Sequence, residues 1–302
     1  MIELIPAALR AHAALGPYRE ILSALSAPSP AARERAGVRA VDDMESATER
    51  GFYSELNETA LSLVGASHHA TALTLALSRA AGEEIVPRFI APLAGHLSAI
   101  DFERRIVEQN ELIVRPNSLH DALNALVWLT FPKTKRAISE AHVVLGVNAN
   151  GKTRPRRRDV LTLFDESGII ILSENDDLRS LNQQHQWREL FVTNRTDFIQ
   201  QTRPILFGHG AMEQLANGLS QLPQVHRGLT VKALWLPLPV STTRAQLDGY
   251  LAERVVSGER LNEHERSIPM PVLGLPGWFL ESESPDCYDD ESVFRPRRSK
   301  IN

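Results

Sequence analysis

The stretch Val160-Leu-Thr-Leu-Phe-Asp-Glu-Ser-Gly-Ile-Ile-Ile-Leu172 decides the fold class, because it places two apolar runs on either side of a polar break. The break, residues 165–168, contains Asp and Gly, which are typical of tight turns. The runs at 160–164 and 169–172 are apolar and partly β-branched, a composition that favours strands. We therefore predict a β-hairpin over residues 160–172.

Most of the remaining chain predicts helices, since it is rich in Ala and Leu and is divided by capping residues, Gly and Pro. The predicted helices cover residues 2–15, 18–25, 31–50, 67–81, 117–130, 134–144, 176–184, 186–200, 204–218 and 242–259. One further strand is predicted over 231–238. Because strands do not alternate regularly with helices, we predict an α+β fold, mostly helical with a small antiparallel sheet, rather than a parallel Rossmann sheet.

The predicted secondary structure changes near residue 100, from successive helices to a mixture of helices and strands. We therefore predict a helical N-terminal unit at 1–97 and an α+β domain at 98–302. The proline-rich segment after Ser267 is predicted to be irregular. It holds Trp278, Tyr288 and Phe294, and aromatic side chains bury large areas, so we expect it to wrap along the domain with Trp278 docked on the core.

The composition is that of an ordinary globular protein. The 302 residues carry a net charge of -4 and a single cysteine. A disulfide within the chain and a cysteine-rich metal centre are thereby excluded, and no apolar run approaches the roughly 18 residues of a membrane span. The first residues also lack the basic-then-apolar pattern of a signal peptide. We therefore expect a cytoplasmic location and no membrane partner.

The helix predicted after Asn117 carries polar residues at regular spacing. His120, Asn124 and Trp128 recur every four residues and so share one helix face, and Asp121 lies beside them. If buried, these groups need partners or a ligand. Two interpretations of these residues stay open. They form either a polar network that ties this helix to a loop or part of a functional site.

A second cluster surrounds His209. If this segment is helical, His209 and Glu213 point the same way and form either a metal site, an acid–base pair or an ordinary surface pair. Gly208 and Gly210 flank the histidine and permit another backbone to come close. The His-Glu-x-x-His pattern of zinc proteases is absent from the sequence.

A third cluster joins basic residues to the acidic turn of the predicted hairpin. The basic residues are Lys133, Lys135, Arg136, Lys152, Arg154, Arg156, Arg157 and Arg158. They form either a phosphate clamp or a solvated run neutralised by acidic residues. Asp165 suits a turn, but Glu166 does not, and adjacent carboxylates repel each other unless a cation compensates. We therefore expect this turn to border a site.

Several of these segments resemble one protein family. Asn117-Ser-Leu-His-Asp-Ala-Leu-Asn-Ala-Leu-Val-Trp-Leu-Thr-Phe-Pro-Lys-Thr-Lys135 is similar to the hallmark of the proteobacterial DUF3025 family, and further similarities lie at 156–168, 187–191, 207–213, 273–278, 288–290 and 293–296. The resemblance covers about residues 100–297. It brings no established reaction, but it implies that His120, Asp121, Asn124, Asp159, Asp165, Glu166, His209 and Glu213 belong to family motifs.

We therefore hypothesise an enzyme, a hydrolase or transferase that acts on an anionic, phosphate-bearing substrate. His120 or His209 would serve as general acid or base, with Asp121, Asn124, Asp165, Glu166 and Glu213 as further catalytic candidates. Substrate-binding candidates are Trp128, Lys135, Arg156, Arg157 and Arg158. A divalent metal is a possible cofactor, with His120, His209 and Glu213 as candidate ligands.

The alternative hypothesis is a non-catalytic module that binds nucleic acid or a protein partner through the basic stretch at 133–158. Phosphate contacts would make its affinity fall steeply with salt. On either hypothesis the partner is an anionic small molecule or a nucleic acid, and the oligomeric state is left open.

Overall fold

In a computed structural model of the chain, the described residues are 5–26, 56–57, 86–95, 97–147, 156–221, 228–258 and 268–297. The helices predicted for 31–50 and 67–81 lie outside these ranges. So do Lys152 and Arg154 of the basic stretch.

Helices make up most of the described chain. The α-helices are α1 (Ala7–Ala11), α2 (Arg19–Ser26), α3 (Ala99–Arg104), α4 (Leu119–Thr130), α5 (Pro132–Val147), α6 (Arg156–Ser167), α7 (Asp176–Gln184), α8 (Arg195–Gln201), α9 (His209–Gln221) and α10 (Arg244–Ser257). The strands are β1 (Arg88–Ile90), β2 (Glu111–Ile113), β3 (Gly168–Leu172), β4 (Arg203–Leu206), β5 (Thr230–Leu236) and β6 (Ile268–Pro271). Short π-helical turns follow α3 and precede α8, at Arg105–Gln109 and Glu189–Thr193.

The chain folds into two compact units. The first unit is Met1–Ile5, Tyr18–Arg158 and Arg244–Glu259; the second is Pro6–Pro17, Asp159–Thr243 and Arg260–Asn302. The boundary predicted at residue 97 falls inside the first unit. Because much of 1–97 lies outside the described ranges, the helical N-terminal unit stays a prediction.

The first unit is built around α4. Every residue of α4 from Ala122 to Thr130 except Asn124 is buried, as its nearly continuous apolar sequence predicts. Ser118 begins the helix, because its hydroxyl accepts a hydrogen bond from the Asp121 amide at 3.2 Å. The helix predicted at 117–130 is therefore confirmed. β1 and β2 form a separate two-stranded parallel sheet in this unit.

The N-terminus of α5 is capped from a distant part of the same unit. Pro132 occupies the first helical position, where its missing N–H costs nothing. The buried carboxylate of Asp248, on α10, accepts hydrogen bonds from the Lys133 amide at 3.0 Å and the Thr134 amide at 2.9 Å. The Thr134 hydroxyl donates to the same carboxylate at 2.6 Å. Asp248 thus does for α5 what a neighbouring N-cap residue usually does.

The second unit is built on a four-stranded mixed sheet with the order β4-β3-β5-β6. β3 is central and all five of its residues are buried, which matches its uninterrupted Ile-rich sequence. It pairs antiparallel with β4 and parallel with β5, while β5 and β6 are antiparallel. The α+β class and the helical majority are confirmed, but the antiparallel hairpin is wrong.

The hairpin prediction is wrong because residues 160–167 continue α6 rather than forming a strand. Leu161 and Phe164 are buried, whereas Leu163 is 46 % exposed, a three-residue spacing that belongs to a helix face. The short apolar run was compatible with either structure. Residues 204–206, which were predicted to begin a helix, are also not helical. They lie in β4, where Ile205 pairs with Ile170 of β3.

The C-terminal segment is packed onto the second unit, as expected from its aromatic residues. Trp278 is 9 % exposed and meets the His12 ring edge-on, with the ring centroids 5.8 Å apart. Burial raises the pKa of Tyr288 to about 12, and the Tyr288 hydroxyl lies 3.1 Å from both the Gly274 and the Ser282 carbonyl oxygens, which share its one proton. β6 was not predicted. Its prolines suit an edge strand, since Pro has no N–H to donate to a further strand.

Among the described residues, no helix combines the length and the apolar character needed to cross a bilayer.

We predict that Asp248→Asn destabilises the protein by about 2 kcal/mol, because the amide group turns donors toward the backbone donors of α5. The measurement is the urea midpoint followed by circular dichroism. Glu253→Gln is the control, since Glu253 is an exposed acid on the same helix. Its effect should stay within about 0.5 kcal/mol. Equal midpoints for the two variants would contradict the capping role.

Candidate functional site

The predicted site residues fall into both units. His120, Asp121, Asn124, Trp128, Lys135, Arg156, Arg157 and Arg158 belong to the first unit, whereas Asp165, Glu166, His209 and Glu213 belong to the second.

The polar stripe predicted on α4 has the expected helical spacing. Trp128 is buried, and the ammonium of buried Lys135 lies 5.7 Å from the centroid of its ring. His120 and Asn124 are half-buried. Among the described residues, no donor reaches the buried oxygen of the Asn124 amide. Trp128 and Lys135 are therefore part of the packing of this unit, while Asn124 keeps an acceptor for a further partner.

Asp121 has a structural role at the start of α4. Burial by itself raises the pKa of its carboxyl group, but hydrogen bonds from the side chain and backbone of Arg115 outweigh burial and hold that pKa below its usual range. The carboxylate accepts from the Arg115 guanidinium at 2.8 Å through both oxygens. This bidentate ion pair joins the loop before α4 to its first turn.

Two arginines of the basic stretch hold backbone carbonyls. Arg157 donates to the Val255 carbonyl at 2.5 Å, at the C-terminal end of α10, where helix carbonyls lack intrahelical partners. Arg136 donates to the Ile106 and Val107 carbonyls and pairs with Glu140. These guanidiniums stabilise backbone turns of the first unit, so the stretch is not a uniformly open phosphate clamp. Arg156, by contrast, is exposed.

In the second unit, two chain segments come into backbone contact beside His209. The Phe207 and Gly208 amides donate to the Gly168 carbonyl at 3.0 and 2.8 Å. A Cβ on Gly208 would lie 2.5 Å from the Ser167 nitrogen and 2.6 Å from the Gly168 nitrogen. Only glycine fits there, as the flanking glycines of the sequence suggested.

The contact continues from Gly208 into the first turn of α9. A Cβ on Gly210 would lie 2.5 Å from Glu166 Oε2 and 3.0 Å from the Glu166 carbonyl oxygen. The Phe164 and Phe207 rings stack at 4.5 Å, with 15° between their planes. The end of α6 and the start of α9 are therefore held together on both the polar and the apolar side.

This contact places His209 between two carboxylates. His209 Nδ1 lies 3.9 Å from Asp165 Oδ2, and His209 Nε2 lies 3.6 Å from Glu166 Oε1. The side chains of His209, Asp165 and Glu166 are 4 %, 18 % and 45 % exposed. The imidazole is thus buried, and Glu166 gives the cluster an edge that solvent reaches.

The position of the two acids is unfavourable for α6 itself. Both lie in its last turn, where the partial negative charge of a helix C-terminus disfavours further negative charge. Neither acid is explained by helix capping, whereas Asp121 and Asp248 both lie at helix N-termini. The cluster of Asp165, Glu166 and His209, called the His209 cluster below, has the groups for proton transfer and for cation binding.

Glu213 lies one turn beyond His209 on α9 and is half-buried. The prediction that His209 and Glu213 lie on one helix is confirmed. Their predicted role as a pair of metal ligands stays a prediction. His120, in the other unit, stays a candidate from the sequence alone.

One polar pair was missed by the sequence analysis. His142 Nδ1, on α5, lies 3.2 Å from Glu103 Oε1, on α3, and His142 is buried. The two residues are 39 positions apart and belong to no shared pattern. No local signal in the sequence joins them.

We predict that Asp121→Asn lowers the free energy of unfolding by about 1 kcal/mol at neutral pH. Because the pKa of Asp121 is lowered in the folded protein, the stabilisation is present above the unfolded-state pKa and is lost as the pH falls through the folded-state pKa. Urea midpoints near about pH 7 and about pH 3 measure this difference. Exposed Glu108, changed to Gln, is the control. A gap between wild type and variant that is equal at both pH values would contradict the ion-pair role.

We also predict that Gly208→Ala destabilises the protein by more than about 3 kcal/mol, since the new methyl group collides with backbone that cannot move away alone. Thermal unfolding measures the loss. Gly249→Ala is the control, because a Cβ at Gly249 meets no atom within 4 Å. A Gly208→Ala protein as stable as the Gly249→Ala protein would show that the close backbone contact is not needed.

Comparisons with known proteins agree with the resemblance seen in the sequence. No curated protein and no solved structure matches the chain significantly. A family model described as "Protein of unknown function (DUF3025)" matches residues 88–298, which is more than half of the chain. The match begins slightly before the residues from which the resemblance was inferred. The chain belongs to the DUF3025 family.

Proposed function

We propose that this protein is an enzyme, a hydrolase or transferase, and that the His209 cluster carries its acid–base or metal-assisted chemistry. One observation carries the proposal: a buried imidazole has a carboxylate oxygen within 4 Å of each ring nitrogen. Packing alone does not explain three ionisable side chains where α6 meets α9, since the burial of charge costs free energy.

The roles follow from exposure and position. Asp165, the less exposed acid, lies 3.9 Å from Nδ1 and is placed to orient the ring once the two atoms approach to hydrogen-bond distance. In the acid–base form of the proposal, Nε2, next to the more exposed Glu166, takes or returns a substrate proton. In the metal-assisted form, the same nitrogen binds the ion instead. Glu213 and Asn124 remain catalytic candidates from the sequence.

The anionic, phosphate-bearing substrate is the part of the proposal that rests on the sequence. It is supported by the number of basic residues between 133 and 158, of which Arg156 is exposed. Against it, Arg136 and Arg157 are bound to backbone carbonyls. The test therefore includes a substrate without phosphate.

We expect the purified full-length protein to release 4-nitrophenolate from 4-nitrophenyl phosphate or from bis(4-nitrophenyl) phosphate. His209→Asn should lower kcat by about 100-fold or more, which is the usual loss for a general acid or base. Asp165→Asn and Glu166→Gln, which keep side-chain shape, should lower it as well. The control is Glu189→Gln, since Glu189 is an exposed acid of the same unit.

The outcomes divide clearly. Release from 4-nitrophenyl acetate alone would overturn the phosphate-bearing substrate but support hydrolysis at the His209 cluster. Wild-type rates in both His209→Asn and Glu166→Gln would overturn the cluster as the active site. The far-ultraviolet circular dichroism spectrum shows whether His209→Asn folds, and the more exposed Glu166 supplies a variant that leaves the interior intact.

A further inference from the structure

We infer that Glu166 Oε1 and His209 Nε2 are two ligands of one divalent metal ion, with Asp165 on the other side of the imidazole. The inference concerns the same cluster as the proposed function and rests on it. It differs from the sequence analysis in the acid that binds the metal, since the sequence named Glu213 as the carboxylate candidate.

The distance between the two ligand atoms is the first support. A direct charge-assisted N–H···O bond is about 2.8 Å long. Two groups joined by one bridging water are about 4.5 Å apart. Two ligand atoms that each lie about 2.1 Å from a tetrahedral ion are about 3.4 Å apart. The observed 3.6 Å between Nε2 and Oε1 fits the shared ion better than either alternative.

The second support is that the backbone keeps the two ligands at this distance. Gly208 allows the start of α9 to touch residues 167–168, and Gly210 leaves just enough room for Glu166 Oε2. A larger residue at 210 would push the Glu166 carboxylate out of its place. The two ligand-bearing residues are thus positioned by two helix ends in close backbone contact, which favours a defined metal site.

The third support is the charge of the cluster. Asp165 and Glu166 are adjacent carboxylates in the last turn of α6, where the helix dipole adds partial negative charge. A divalent cation relieves the repulsion between them. His209, the first residue of α9, supplies an imidazole nitrogen beside these two acids.

Asp165 completes the arrangement through the other ring nitrogen. Its Oδ2 lies 3.9 Å from His209 Nδ1, on the side of the ring opposite the inferred ion. A carboxylate in this place orients a metal-bound histidine and strengthens it as a ligand. Asp165 is therefore a positioning residue rather than a ligand.

One nitrogen and one carboxylate oxygen suit borderline metals. Zn²⁺, Mn²⁺ and Fe²⁺ accept such mixed sets, whereas Ca²⁺ and Mg²⁺ prefer oxygen alone. With two of its ligands drawn from this cluster, the ion keeps positions for water, and a bound water becomes a nucleophile near neutral pH. We therefore expect Zn²⁺ or Mn²⁺ to bind more tightly than Mg²⁺.

The test is metal binding by the full-length protein. Metal is removed with a chelator, and Zn²⁺ or Mn²⁺ is titrated by isothermal calorimetry, with metal content after dialysis measured by plasma mass spectrometry. We expect one ion per chain in the wild type. Glu166→Gln and His209→Asn should each weaken binding by more than about tenfold, and Asp165→Asn by about 10- to 100-fold.

Two further variants separate this site from its alternatives. Gly210→Ala keeps every ligand but displaces the Glu166 carboxylate, so it should weaken binding, whereas Gly249→Ala should not. Loss of metal in Glu213→Gln but not in Glu166→Gln would overturn the inference. So would a wild-type protein that binds neither metal.

The two proposals fail separately. If no metal binds and His209→Asn still abolishes turnover, the metal inference is wrong and acid–base catalysis stands. If metal binds as expected while the variants leave turnover unchanged, the proposed function is wrong and the metal site is structural.

Discussion

The second unit depends on one backbone contact, in which the amides of Phe207 and Gly208 donate to the carbonyl of Gly168. This contact joins the end of β4 to the start of β3 at the point where each strand meets a helix. It requires Gly208, because a Cβ there would overlap the backbone of Ser167 and Gly168. The end of α6 and the start of α9 both lie at this contact. His209 is consequently placed beside Asp165 and Glu166.

Charged residues have different roles in the two units. In the first unit, the carboxylates of Asp121 and Asp248 lie at the N-termini of α4 and α5, and the guanidinium of Arg157 lies at the C-terminus of α10. Each charge therefore meets the partial charge that favours it. In the second unit, Asp165 and Glu166 lie at a helix end of the wrong sign. A charge that stabilises a helix end has a structural role. The two carboxylates placed against the dipole and beside a buried histidine are the observation behind the proposed function and the inferred metal site.

The motifs shared with the DUF3025 family also divide by role. Those near the C-terminus form an aromatic core: Gly274 lies against the rings of Phe191 and Phe294, and the Trp187 indole donates to the Arg295 carbonyl at 2.9 Å. Those at 156–168 and 207–213 bring the ionisable groups together. Family membership by itself did not separate these roles. Burial and contact geometry do, because a packed ring and a buried histidine between carboxylates have different energetic reasons to be there.

The sequence by itself determined the α+β class, most helices, the buried run of β3, the start of α4 close to Asn117, and the residue types of the His209 cluster, because each depends on local periodicity or on short-range signals. It did not determine that residues 160–167 are helical, since the short, largely apolar run at 160–164 fits a strand and a helix equally well. Nor did it reveal that Asp248 caps α5, or that Glu166 faces Nε2 of His209. Only the tertiary structure decided these points, because the partners are far apart in the chain and meet through packing that no local pattern encodes.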